Sequence, residues 1–262
     1  GGRDKPNFTR NLKFRRFLRR CDAAFAASEF LADRARAHCG DVFVMPMAVD
    51  VPETLPPRPD PGERVELLWL GSKSTMRFLR PLAPVLSEVA RQRPSVRMRL
   101  VGHASFLCPP MEVDFRPWSP EEQARALAEC HIGICPLPDT PWTRGKCPYK
   151  VLQYMAHAMC WVGSAVGENI PAAGAPDSDD ARGLCAADAE QWVAALLRLV
   201  DDRALRLRLG VNGRAYVEAR HDREILADRI AQIFRRLTGD RLRSPDGSGR
   251  RSLSAPHHEP PR

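Results

Sequence analysis

The sequence predicts an α/β protein built on a doubly wound parallel sheet. Short apolar runs alternate along the chain with amphipathic stretches at helical spacing. The connections between them are short, and parallel strands need a crossover that a helix supplies. A chain of 262 residues, 44% hydrophobic, has ample material for the buried core such a sheet requires.

The elements follow in order. "AAFAA" is a short strand that ends at Ser28, a good helix N-cap, and "EFLADRARAH" continues as a helix. "VFVM" is a second buried strand. Residues 51–63 hold five prolines, which neither a helix interior nor a central strand accepts, and read as an interdomain linker. Beyond it the pattern resumes. "VELLWLG" is a strand, "STMRFLRPLAPVLSEVARQR" a helix starting at Ser74 or Thr75, "VRMRLVG" a strand and "MEVDFRPW" a short strand. "SPEEQARALAEC" is a helix with Ser119 at its N-cap, Pro120 at its first position and two glutamates in its first turn. "HIGICPL" is a strand. "YKVLQYMAHAM" is a helix starting near Cys147, with Pro148 early in it, and "CWVGSAVG" is a strand. Three further helices end the ordered chain, the last over residues 222–237. Residues 238–262 are rich in Pro, Ser, Gly and Arg, lack periodicity and are expected to be disordered.

Composition excludes several classes. No apolar run approaches the ~20 residues that span a bilayer, and the basic N-terminal stretch lacks a signal-peptide core. A cytoplasmic protein is expected. The eight cysteines include no C-x-x-C pair, so buried or half-buried free thiols are expected rather than a zinc site or disulfide framework. His103, His131 and His157 read as core or surface residues. The net charge of +8 is concentrated: residues 1–20 carry eight basic side chains against Asp4 alone. Two readings of that end stand, a solvated helix face and a patch for phosphate-rich surfaces. Without a nucleic-acid-binding signature, anionic lipid at the inner face of a membrane is the stronger functional partner and nucleic acid is not expected.

In a doubly wound sheet ligands bind beyond the C-terminal ends of the strands. That rule marks the loops after Leu70, Val101 and Cys135. Gly71, Ser72 and Lys73 lie in the first, where a glycine and helix-start hydroxyls suit a phosphate, although an ordinary strand-to-helix turn reads the same way. The third loop, "PWTRGKCPYKVLQY", places Arg144, Lys146 and Lys150 at a helix N-terminus. The helix dipole disfavours cations there, so their presence asks for a bound anion, a diphosphate; the alternative is long side chains reaching solvent. Trp118 is read as a core residue, with the border of a nucleobase site as the other possibility. No hydrolase elbow or zinc-protease motif occurs.

From "ASEFLADRARAHCGDVFVMPMAVD" through "LLWLGSKST", "RLVG" and "HIGICPLPDTPWTRGKCPYKVLQYMA" to "VGSAVGENIPAAG", the chain resembles retaining glycosyltransferases of the GT-B fold, family 4 (group 1) type. The resemblance implies a Rossmann-like donor domain over residues 64–221, preceded by the end of an incomplete acceptor domain over 1–50 and followed by a crossing helix. It implies a nucleotide diphosphate sugar as donor, transfer of a hexosyl group to a glycan, lipid or small-molecule hydroxyl with retention, and no metal or other cofactor. The donor would be held by Gly71, Ser72, Lys73, Arg144, Lys146, Lys150 and Gln153. Two glutamates usual in the family fall at Gly145 and Gln153 here, and its usual arginine falls at Ser72, leaving Lys73 or Arg77 for the phosphate. No catalytic residue is assigned. The shortened first domain leaves a second expectation, a non-catalytic nucleotide-binding or partner-binding remnant.

Overall fold

The computed structural model describes residues 8–59, 62 and 64–238. Residues up to Leu226 form one compact unit and those from Ala227 a second. The chain opens with α1 (Phe8–Leu18), β1 (Ala23–Ala26), α2 (Glu29–Arg36) and β2 (Asp41–Val44). β1 and β2 pair in parallel as a small sheet of their own. Ser28 caps α2 as expected, its Oγ accepting the Leu31 N–H at 3.3 Å, and Leu18 of α1 is buried with Ala35 and Cys39.

The main sheet holds β3 (Glu66–Gly71), β4 (Arg97–Gly102), β5 (Glu112–Pro117), β6 (Ile132–Cys135), β7 (Cys160–Ser164) and β8 (Leu184–Ala186). All pairings are parallel, in the spatial order β5-β4-β3-β6-β7-β8. The chain starts at the centre, runs to one edge, returns and runs to the other. The reversal falls between β3 and β6. Helices α3 (Met76–Leu79), α4 (Ala83–Gln92) and α5 (Pro120–Glu129) precede β6. Helices α6 (Pro141–Arg144), α7 (Tyr149–Ala156), α8 (Asn169–Ala173), α9 (Ala189–Asp201), α10 (Arg203–Arg220) and α11 (Arg223–Thr238) follow it. Strand periodicity divides the core: Leu67 and Trp69 pack into a cluster shared with α4 and α9, and Leu68 and Leu70 into one shared with α5 and α7.

Several expectations need correction. The helix read across 74–93 is broken into α3, a 3₁₀ turn over Arg80–Leu82 and α4. Pro81 and Pro84 lack the N–H that a continuous helix requires. Pro148 is the N-cap of α7 rather than its first turn, so that helix starts at Tyr149. The short elements α6, α8 and β8 were not anticipated. Trp118 is not core: it is 46% exposed at the end of β5. The thiols are free and buried or half-buried, as expected, and Ser119 caps α5 as read, accepting the Glu122 N–H at 3.1 Å. The expectation of disorder over 238–262 falls, apart from Thr238 at the end of α11, outside the described residues, as does the start of the basic N-terminal stretch.

Residues 51–59 form neither helix nor strand, yet they are pinned. Arg58 donates to the carbonyls of Leu127 and Cys130 at the end of α5 and to His157 O, at 2.8 Å, at the end of α7. A guanidinium suits the unpaired carbonyls and negative dipole ends found there. The end of α10 is tied to the residues after β2: Val49 N–H donates to His221 O at 3.0 Å, and a β-bridge joins Val49 to Asp222.

The ladder between β3 and β6 contains two residue pairs, Leu67↔Ile132 and Leu68↔Gly133. Beyond them the strands part, and the Tyr154 hydroxyl from α7 fills the split. It lies 3.2 Å from both Leu68 O and Ile134 O, between which its one proton is shared, and accepts the Leu70 N–H at 3.4 Å. The ring passes over Gly133, where a Cβ would stand 2.3 Å from Tyr154 Cδ2. Tyr154→Phe leaves the Leu70 N–H buried without an acceptor, an expected loss of about 1–3 kcal/mol. Gly133→Ala forces the ring to move, at a similar cost of ~1–3 kcal/mol. Chemical denaturation of both variants and the double variant measures this; additive losses would show that the two residues do not act through one contact.

Candidate functional site

The crevice between the C-terminal ends of β3 and β6 is the point where the strand order reverses, the position at which doubly wound sheets bind ligands. One wall is the turn after β3. Gly71 is required by packing, since a Cβ there would stand 2.1 Å from the Trp69 ring. The turn is closed by its own hydroxyls: Ser72 N–H donates to Thr75 Oγ1 at 3.0 Å, and Ser72 Oγ lies 2.9 Å from Ser74 Oγ. Lys73 projects exposed from it.

The other wall is the segment after β6. Thr140 and Thr143 form a reciprocal capping box that starts α6. From α6 and the turn behind it come Trp142, Arg144 and Lys146. The α7 N-terminus has no side-chain cap, and the first bond back into the segment is from Leu152 N–H to Pro148 O at 3.1 Å. The N–H groups of Tyr149, Lys150 and Val151 precede it, at the positive end of the helix.

Lys146 and Lys150 converge here. Lys150 lies over the Trp69 ring, its Nζ 4.8 Å from the centroid. Because Trp69 packs on one face of the sheet and α7 on the other, this side chain reaches across the split that Tyr154 fills. Lys146 Nζ lies 4.9 Å from the centroid of Trp142 and 5.6 Å from that of Phe78. Both lysines are half-buried. Neither forms a salt bridge among the described residues. Burial depresses both ammonium pKa values, Arg77 adds repulsion at Lys146, and Lys146 adds it at Lys150. The aromatic faces hold the two cations in place of carboxylates. No sequence signal singled out Trp69, Phe78 and Trp142 for that task.

The remaining sequence-predicted residues are placed differently. Arg144 does not join the lysines: it makes a two-pronged pair with Asp139, at 2.6 and 2.7 Å, which depresses that carboxyl's pKa. Gln153 is half-buried on α7, one turn beyond Lys150. Gly145 ends α6 against the first layer, where a Cβ would stand 3.0 Å from Leu31 Cδ2 and 3.2 Å from Phe30 Cδ1. A side chain there would press on the ends of these two side chains, which would have to give by a few tenths of an ångström. At the ends of β4 and β5, His103 and Trp118 stack at 6.1 Å with 22° between their rings, and Trp118 Nε1 donates to Gln123 Oε1 at 3.0 Å. Among the described residues no three His, Cys, Asp or Glu side chains are grouped to hold a metal, and no helix is long and apolar enough to cross a membrane.

The fold and crevice define a doubly wound α/β protein with two half-buried lysines beside the switch point of its sheet. The chain belongs to the group 1 glycosyl transferases, whose family model matches residues 66–202. Comparison with curated protein sequences finds no match. Among solved structures, the chain superposes on sucrose-phosphate synthase from Thermosynechococcus elongatus with a TM-score of 0.67 and 18% identity, over 88% of this chain and 62% of that one. It superposes on Anabaena HepE in complex with UDP-glucose with a TM-score of 0.66 and 12% identity, over 87% and 68%. For WaaG, a glycosyltransferase of lipopolysaccharide biosynthesis, the TM-score is 0.59 with 15% identity, over 83% and 63%. The fold therefore matches those of GT-B glycosyltransferases, and the chain spans 62% of the length of sucrose-phosphate synthase.

Removing a desolvated, unpaired cation relieves strain on the fold. At neutral pH Lys150→Met is expected to raise stability by ~1 kcal/mol, read as a higher denaturation midpoint. The sign follows from the depressed pKa: below the folded-state value the native protein carries the full cost of the buried charge. That cost fades as pH rises from the folded-state value toward the ordinary lysine value. The stability gain of Lys150→Met should therefore shrink in alkaline buffer.

Proposed function

We propose that this chain carries the donor site of a retaining, metal-independent family 4 glycosyltransferase, and that Lys146 and Lys150 hold the diphosphate of a nucleotide-activated hexose. The observation that carries this reading is the lysine pair: two half-buried ammonium groups without carboxylates, fixed on aromatic rings at an uncapped helix N-terminus, in the switch-point crevice. A dianion there meets both cations and the free N–H groups of α7. UDP is the first candidate, because HepE was solved with UDP-glucose. The His103–Trp118 stack offers a ring surface for the base. Gln153 has a carbonyl oxygen for a ribose hydroxyl.

In the transfer step the bond between the anomeric carbon and the diphosphate oxygen breaks as the acceptor oxygen bonds to that carbon on the same face. The acceptor's proton leaves with the diphosphate. Negative charge grows on the diphosphate as the bond breaks, so cations already in position stabilise the transition state more than the bound donor. Arg144, held by Asp139, orients that carboxylate beside the turn where sugar hydroxyls would lie. Lys73 and Arg77 supply further positive charge at the rim. The reading of a non-catalytic remnant predicts the same nucleotide binding without turnover.

Calorimetry with UDP, GDP and their sugars, with and without magnesium, tests the donor site. Binding tighter than millimolar is expected for one of them, weakened roughly 10- to 100-fold by Lys150→Met or Lys146→Met, the loss of a charged hydrogen bond worth about 1.5–3 kcal/mol. Affinity should fall as pH rises through the depressed lysine values, with protons taken up on binding in that range. Absence of binding to every nucleotide would end the reading.

Helix α1 supports a peripheral position on a membrane. Phe14 and Phe17 are 57% and 65% exposed on one side, Arg15 and Arg16 lie toward the other, and Arg19 and Arg20 follow in the turn behind the helix. Co-sedimentation with vesicles should rise with anionic lipid content and drop in 0.5 M salt, roughly 1 kcal/mol being at stake per basic residue near the surface. Binding indifferent to lipid charge would remove this part.

A further inference from the structure

One large cavity is left without a task by the donor reading. It measures about 670 Å³ and lies between α2 and the α6–α7 segment, a size suited to a molecule well beyond a few atoms. Its walls are Phe30, Leu31, Met47, Trp142 and Tyr149, with the bare backbone of Gly145 between them. Glycine at 145 keeps the wall continuous, because a Cβ would press on Leu31 and Phe30.

The charges in the cavity are of one sign. Lys146 lines the end shared with the diphosphate crevice, and Arg34 is the other charged lining residue; no carboxylate lines the cavity. Arg34 is held flat on the Phe30 ring at 3.5 Å and donates to Phe30 O at 2.8 Å. It forms no ion pair among the described residues, although Glu29 and Asp33 lie on the same helix, because both bond to Arg36. Its charge is therefore left facing the cavity without a counter-ion. A glycan lined up here would bring many hydroxyls to walls that offer few hydrogen-bond partners, each unmet group costing desolvation energy. An apolar body with one anionic group satisfies both the walls and Arg34. The exposed phenylalanines and arginines of α1 favour a bilayer as its source over a soluble aromatic compound.

We propose that this cavity is the acceptor subsite and that it takes an anionic amphiphile drawn from a membrane, with its chain against Phe30, Leu31, Met47 and Trp142 and its anionic group on Arg34. The inference rests on the donor reading of Lys146, which fixes the end of the cavity at which transfer occurs.

Calorimetry of the full chain with monomeric dihexanoylphosphatidylglycerol, dihexanoylphosphatidylcholine and UDP tests it. The anionic lipid should bind saturably and at least about tenfold more tightly than the zwitterionic one. Arg34→Gln, at an exposed site, and Leu31→Gln, which places an uncharged amide in the apolar wall, should each weaken the anionic lipid about tenfold or more and leave UDP affinity unchanged. Neither substitution touches α1. Equal binding of the two lipids, or anionic-lipid binding unaffected by both substitutions, overturns the acceptor inference while retained UDP binding leaves the donor reading standing. Lipid binding with the predicted pattern but no UDP binding supports the subsite's chemistry and fails the donor reading instead.

Discussion

The hydroxyl of Tyr154 sits where β3 and β6 separate, and the rest of the site depends on that contact. Two parallel strands that part leave N–H and carbonyl groups buried without partners, a cost that a sheet normally avoids by staying paired. Here one phenol serves Leu70, Leu68 and Ile134 together. The same contact fixes α7 against the end of the sheet, because its ring fills the space that Gly133 leaves open. Lys150 is four residues earlier, one helical turn toward the crevice, so the tyrosine sets both the width of the split and the place of the lysine that spans it.

The lysines illustrate a second constraint, that two half-buried cations without carboxylates are costly to hold side by side. Burial and mutual repulsion both work against the charged forms. A carboxylate partner would relieve this and would also compete with the diphosphate proposed to bind there. Aromatic faces do neither: they attract the cation weakly and leave its hydrogen-bond donors free. Arg144 is the contrasting case. Its bond to Asp139 is the arrangement the lysines avoid, which suits it to positioning a carboxylate rather than to meeting a phosphate.

Much of the sheet was legible because its signals are local. The apolar runs that became β3, β4 and β6 and the capped starts at Ser28 and Ser119 require only neighbours along the chain. The parallel pairing followed from the rule that parallel strands need crossovers, and the cationic loop after Cys135 from the rule that such sheets bind ligands beyond the C-terminal ends of their strands; the spatial order of the strands was not legible. What failed was set by tertiary context. Trp118 reads as core by its chemistry, but its strand is at the edge of the sheet and the ring lies outside. The α3–α4 break is marked in the sequence by Pro81 and Pro84, but the apolar periodicity runs through both and hides it. The partners of the lysines were not legible at all, since Trp69, Phe78 and Trp142 come from three separate elements and look in sequence like ordinary core or loop residues.

Gly145 shows how a departure from a family pattern becomes intelligible once neighbours are known. On sequence alone a glycine where the family resemblance implies a glutamate reads as lost sugar recognition. In the fold, that position faces Phe30 and Leu31 of α2, whose side-chain ends a Cβ would press at 3.0–3.3 Å. The β1–α2–β2 unit is therefore more than a leftover stretch before the linker. It supplies one wall of an apolar cavity whose other wall carries Lys146. A carboxylate at 145 would sit in that wall and cancel the positive field that Arg34 and Lys146 share. The glycine thus keeps one surface apolar and one charge sign unopposed, and both properties fit the anionic amphiphile proposed for the cavity.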